Sequence, residues 1–101
     1  MPSFRITLAV GALRAGVAPE SVVPVAAGAA SALTTVEASE LAVVAGSARV
    51  IVRFTADDHA EAWRVGGEVR SATANVARVI TAQVTERVKS RWLPVYPPSG
   101  I

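Results

Sequence analysis

The chain has 101 residues, enough for one domain around a single core and too few for two. Hydrophobic residues make up 51% and charged ones only 18%, which argues against a disordered chain. The absence of cysteine excludes a disulfide framework, a thiolate nucleophile and a Cys-based zinc site, and a net charge of +2 is not the global basic field of a DNA-coating protein.

Phe4, Ile6, Leu8 and Val10 alternate with Arg5, Thr7 and Ala9, the period-two pattern of a strand with one buried face, predicted over 3–10. Gly11, Gly16 and Pro19 punctuate a loop over 11–20. A helix follows. With Ser21 as N-cap, Pro24 falls at the third helical position, where its missing N–H costs little. The small-residue run VAAGAASALT carries this helix to about Thr35 and suits close packing on a sheet. Neither 6–13 nor 22–33 is long enough to span a bilayer, and the expectation is a soluble, cytoplasmic chain with no membrane partner.

ELAVVAGSARVIVRF has the form of a hairpin, with strands Leu41–Val44 and Arg49–Phe54 around an Ala45-Gly46-Ser47-Ala48 turn. Thr55 reads as the next N-cap with Asp58 as its capping-box partner. Ala62, Val65, Val69, Ala72 and Val76 then form the core stripe of an amphipathic helix, with Glu61, Arg64 and Glu68 on its outer face. Gly66-Gly67 weakens it locally, and a close backbone contact is the expected reason.

Residues 79–88 fit either strand or helix spacing. A single helix over 56–89 would be about 50 Å long at 1.5 Å per residue, ungainly for so small a domain, so the prediction is a strand. RWLPVYP (91–97) adds a short edge strand, closed by prolines. The expected organisation is one α+β domain over 1–97 and a flexible tail over 98–101. The order β-α-β-β-α-β is the split-βαβ, ferredoxin-like pattern, with an optional C-terminal edge strand.

If the apolar sets of the first and third strands face the helices, Arg5, Arg49 and Arg53 cover the opposite face with Thr7 and Ile51, and Arg87 joins them from the fourth strand. Such a face is either a solvated surface shielding aliphatics or a binding surface for anions or single-stranded nucleic acid. Nucleic-acid binders of this fold stack bases on central-strand aromatics, whereas Phe4 and Phe54 have core parity here. Trp92, Leu93, Val95 and Tyr96 form a second candidate surface, for self-association.

His59 is the single histidine, beside Asp57 and Asp58, a pattern better explained by a solvated helix start than by a metal. No phosphate loop or nucleophile elbow is present, and neither metal nor cofactor is expected. The stretch PSFRITLAV is similar in character to the first strand of N-terminal-proline tautomerases. That resemblance implies Pro2 as general base and nearby arginines as polarising groups. The leading expectation is a non-enzymatic module that forms a homo-oligomer or binds another protein.

Overall fold

The protein is described by a computed structural model that covers residues 1–98. Strand β1 (Ser3–Leu13) leads through one 3-10 turn at Pro19–Ser21 into helix α1 (Val22–Ser31). Then come β2 (Val36–Val44), β3 (Ser47–Thr55), α2 (His59–Ala74), β4 (Ala77–Val88) and β5 (Arg91–Val95). The strands form one five-stranded antiparallel sheet in the order β2-β3-β1-β4-β5. This is an α+β fold: α1 lies on β2 and β3, α2 lies on β4 and β1, and the helices pack on each other.

The alternation in β1 and β3 sets the layers. Phe4 pairs with Phe54, Ile6 with Val52 and Leu8 with Val50, and all six side chains are buried. Val84 of β4, Val95 of β5, Val22, Ala26 and Ala30 of α1, Ala62, Val65 and Val69 of α2, and Ala56 ahead of α2 complete the cluster. Each such valine, leucine or phenylalanine contributes about 1.5–3 kcal/mol on burial, so a one-residue register slip would expose the whole set.

Gly66 explains how α2 lies so close to the sheet. A Cβ there would sit 3.1 Å from Val84 Cγ2 and 3.3 Å from Ile6 Cδ1, so only hydrogen fits comfortably. Gly67 is exposed and meets nothing within 4 Å. The contact inferred from the Gly-Gly pair therefore belongs to Gly66 alone.

Several boundaries differ from the sequence-based expectation. Strand β1 runs on to Leu13 instead of ending at 10, and its pairing with β4 slips there through bulges. Helix α1 stops at Ser31 instead of reaching Thr35. Thr34 is drawn to β3, where its hydroxyl donates to Thr55 O at 2.6 Å, and Thr55 N–H donates to Thr35 O. Ser21 occupies the N-cap, but its hydroxyl turns back to Ala18 O and caps nothing.

Helix α2 is capped by Asp58, whose carboxylate accepts from Glu61 N–H at 2.8 Å, and not by Thr55. Thr55 is held in β3 by its pairing with Ser3. The β2–β3 turn is the two residues Ala45-Gly46, both at positive φ, so β3 begins at Ser47, and pairing with β3 extends β2 back to Val36 instead of Leu41. Residues 77–88 are strand, and β5 ends at Val95. Of the tail expected at 98–101, residues 99–101 lie outside the described residues. No helix of the described residues is long and apolar enough to cross a membrane.

Candidate functional site

The face of the sheet opposite the helices carries the side chains that alternate with the core. Arg5 pairs with Arg53 on one side and Thr85 on the other, and Thr7 lies between Ile51 and Gln83. On β2, Ala38 stands opposite Arg53, Glu40 opposite Ile51, and Ala42 opposite Arg49. The two-residue connection Lys89-Ser90 sets β5 so that Trp92 pairs with Arg87 and Pro94 with Thr85. Lys89 takes the positive φ of 57° that so tight a turn requires.

These registers bring three arginines around one indole. The Arg5 guanidinium carbon lies 4.0 Å from the Trp92 ring centroid, with Arg53 at 5.4 Å and Arg87 at 6.0 Å. Stacking on an aromatic face orients a guanidinium while leaving its in-plane N–H donors unspent. Among the described residues, no hydrogen bond or ion pair engages the Arg5 side chain. Arg87 Nε donates only to Lys89 O, at 3.3 Å.

Arg53 is committed differently. Its Nε donates to Glu37 Oε1 at 3.1 Å, and the same oxygen accepts from Ser3 Oγ at 2.7 Å. Glu37 is the extra residue where the β2–β3 register shifts between Val36 and Ala38, and that bulge brings its side chain to Arg53. The Ser3 hydrogen bond, reinforced by the Arg53 charge, holds the Glu37 carboxyl below the usual carboxylate range. Beside this pair, Arg5, Arg53, Ile51, Ala38, Ser39 and Glu40 line a cleft of about 140 Å³. That is several times the roughly 30 Å³ a water molecule occupies in the liquid.

Arg49 stands apart from the other three. Four residues from Arg53 on the same strand, it is about 13 Å away at the rise of a β-strand. Its Nε is enclosed and has no partner among the described residues. The four arginines expected on one face therefore share that face, and three of them form a cluster.

The C-terminal residues considered for self-association do not make one patch. Trp92 belongs to the arginine face, while Val95 is 4% exposed and part of the core. Trp63 of α2 fastens this strand by donating its indole N–H to Val95 O at 2.9 Å. Leu93 and Tyr96 remain exposed. Trp92 and the arginines were legible separately; counting across a two-residue turn at 89–90 is the signal that would have joined them. Glu37 carried no such signal, because a bulge is invisible in the residue pattern.

Elsewhere, His59 Nε2 and Glu86 Oε1 lie 2.8 Å apart, and the imidazole meets the Phe4 ring edge-on. Among the described residues no group of His, Asp or Glu is arranged to hold a metal. Pro2 is exposed, and its carbonyl accepts from Ala56 N–H at 3.2 Å. The chain matches no family model, no curated protein and no solved structure.

Proposed function

We propose that the protein is a binding module whose open sheet face takes an oxyanion-bearing ligand at Arg5, Arg53, Arg87 and Trp92. The observation that carries this reading is the Arg5 guanidinium, stacked 4.0 Å from Trp92 with its donors unspent. Guanidinium forks match phosphate and carboxylate oxygens, and a fork already oriented loses less entropy on binding. Glu37 offsets Arg53, and Glu40 borders the cleft, so the charge available to a ligand comes from Arg5 and Arg87. Base stacking on the central strands has no support: Phe4 and Phe54 are both buried. The element order and the central places of β1 and β3 support a ferredoxin-like split-βαβ arrangement extended by β5.

Tryptophan fluorescence of a Trp63→Phe protein, in which Trp92 is the reporter, tests the reading. Inorganic phosphate, tripolyphosphate and an oligothymidylate are titrated in turn at low salt. A saturable change with at least one of them, weakened by salt and by Arg5→Ala, is the expected result. An unaltered spectrum with all three would overturn it.

A further inference from the structure

The two edges of the sheet are treated very differently. Strand β5 spans only Arg91–Val95 and carries Pro94, which has no N–H to offer a neighbour. Strand β2 spans Val36–Val44, and its sequence VEASELAVV contains no proline, lysine or arginine. Its bulge lies at one end, between Val36 and Ala38, which leaves 38–44 in regular register. Leu41 is 56% exposed, Val43 70% and Val44 47%, an apolar run along an open backbone edge. Monomers ordinarily blunt such an edge with charge, proline or a covering loop.

The direction of the free backbone groups follows from the turn. With Ala45-Gly46 as a two-residue turn, Val44–Ser47 is the hydrogen-bonded closing pair, and bonded pairs then recur at every second residue. Ala42 and Glu40 therefore spend their backbone groups on β3. Val43, Leu41 and Ser39 direct theirs outward.

We infer that β2 pairs antiparallel with β2 of a second copy of this chain, about a twofold axis at Ala42, joining two sheets into one of ten strands. Three pieces of chemistry select this occupant and register. First, centring on Ala42 sets Leu41 opposite Val43 of the second copy, twice over, and both are outward-bonding positions. Second, it separates the two Glu40 carboxylates by about four residue steps, roughly 13 Å, whereas centring on Glu40 would oppose them directly. Third, the other broad surface, the open sheet face, presents Arg5, Arg49, Arg53 and Arg87, so two copies placed face to face would repel. The inference rests on no part of the anion-binding reading.

The absence of cysteine makes the register directly testable. Across an antiparallel pair without mutual hydrogen bonds the Cα atoms are about 4.5 Å apart, within disulfide range. Ala42→Cys is therefore expected to form a disulfide dimer on mild oxidation. Val44→Cys, about 13 Å from its counterpart, is expected to cross-link at least tenfold more slowly. Light scattering of the wild type should give twice the 10.4 kDa chain mass. Val43→Lys, at a site already mostly exposed, should halve the mass and leave the circular dichroism unchanged. A wild-type monomer at about 100 μM, or equal cross-linking at 42 and 44, would overturn the inference. The first result would leave the edge to a strand from a different protein.

Discussion

Substituting the adjacent glycines of α2 one at a time separates helix propensity from packing. In a helix interior, alanine is favoured over glycine by about 1 kcal/mol. At Gly67 nothing stands within 4 Å of the new Cβ, so the full gain is expected. For a domain of this size it raises Tm by about 4 °C. At Gly66 the new methyl would meet Val84 Cγ2 at 3.1 Å and Ile6 Cδ1 at 3.3 Å. Both neighbours are fully buried and β-branched, so neither rotates away freely. They must yield by a few tenths of an ångström, and overpacking a filled core costs about 1–3 kcal/mol. Gly66→Ala should therefore be neutral or destabilising, and at least about 1 kcal/mol below Gly67→Ala. Urea unfolding followed by tryptophan fluorescence measures both. Equal stabilisation by the two alanines would refute the close approach of α2 to the sheet.

Val52→Asp should abolish folding, because it puts an unpaired carboxylate into a fully buried site, while Arg53→Asp should fold with a loss of about 1 kcal/mol or less. Circular dichroism decides, and identical behaviour would reverse the assignment of sheet faces. Ala45 holds φ at 52°, a conformation in which alanine is strained and asparagine is not, so Ala45→Asn should raise stability by about 0.5–1 kcal/mol in thermal unfolding. No gain would exclude the tight two-residue turn. The Glu37 pKa is lowered in the folded state, so its stabilising contribution is complete above the unfolded pKa and is lost as pH falls through the lower folded one. Glu37→Gln should therefore flatten the acid limb of a stability-against-pH curve, and an unchanged limb would dissociate Glu37 from Ser3 and Arg53.

The local pattern determined much of this protein. Period-two alternation in 4–10 and 49–54 assigned Phe4, Ile6, Leu8, Val50, Val52 and Phe54 to the core, because a strand alternates its side chains whatever surrounds it. Length arguments were enough to favour a strand over a helix at 79–88, and strand is what β4 is. Helix ends were less legible. Thr55 and Asp58 are both good caps in isolation, and only the pairing of Thr55 with Ser3 leaves the role to Asp58.

The candidate site belongs to the tertiary structure. Arg5, Arg53, Arg87 and Trp92 come from four different strands, and what brings them together is inter-strand register. Register depends on turn lengths and bulges: one two-residue turn joins Trp92 to Arg87, and one bulge directs Glu37 to Arg53. Alternation within β5 puts Trp92 and Val95 on opposite faces, but only the pairing with β4 decides that Val95 enters the core beside Val84 and that Trp92 joins the arginines. Alternation is a property of each strand alone, and so it can be read along the chain. Which residue stands beside which across a sheet is a property of all the strands at once.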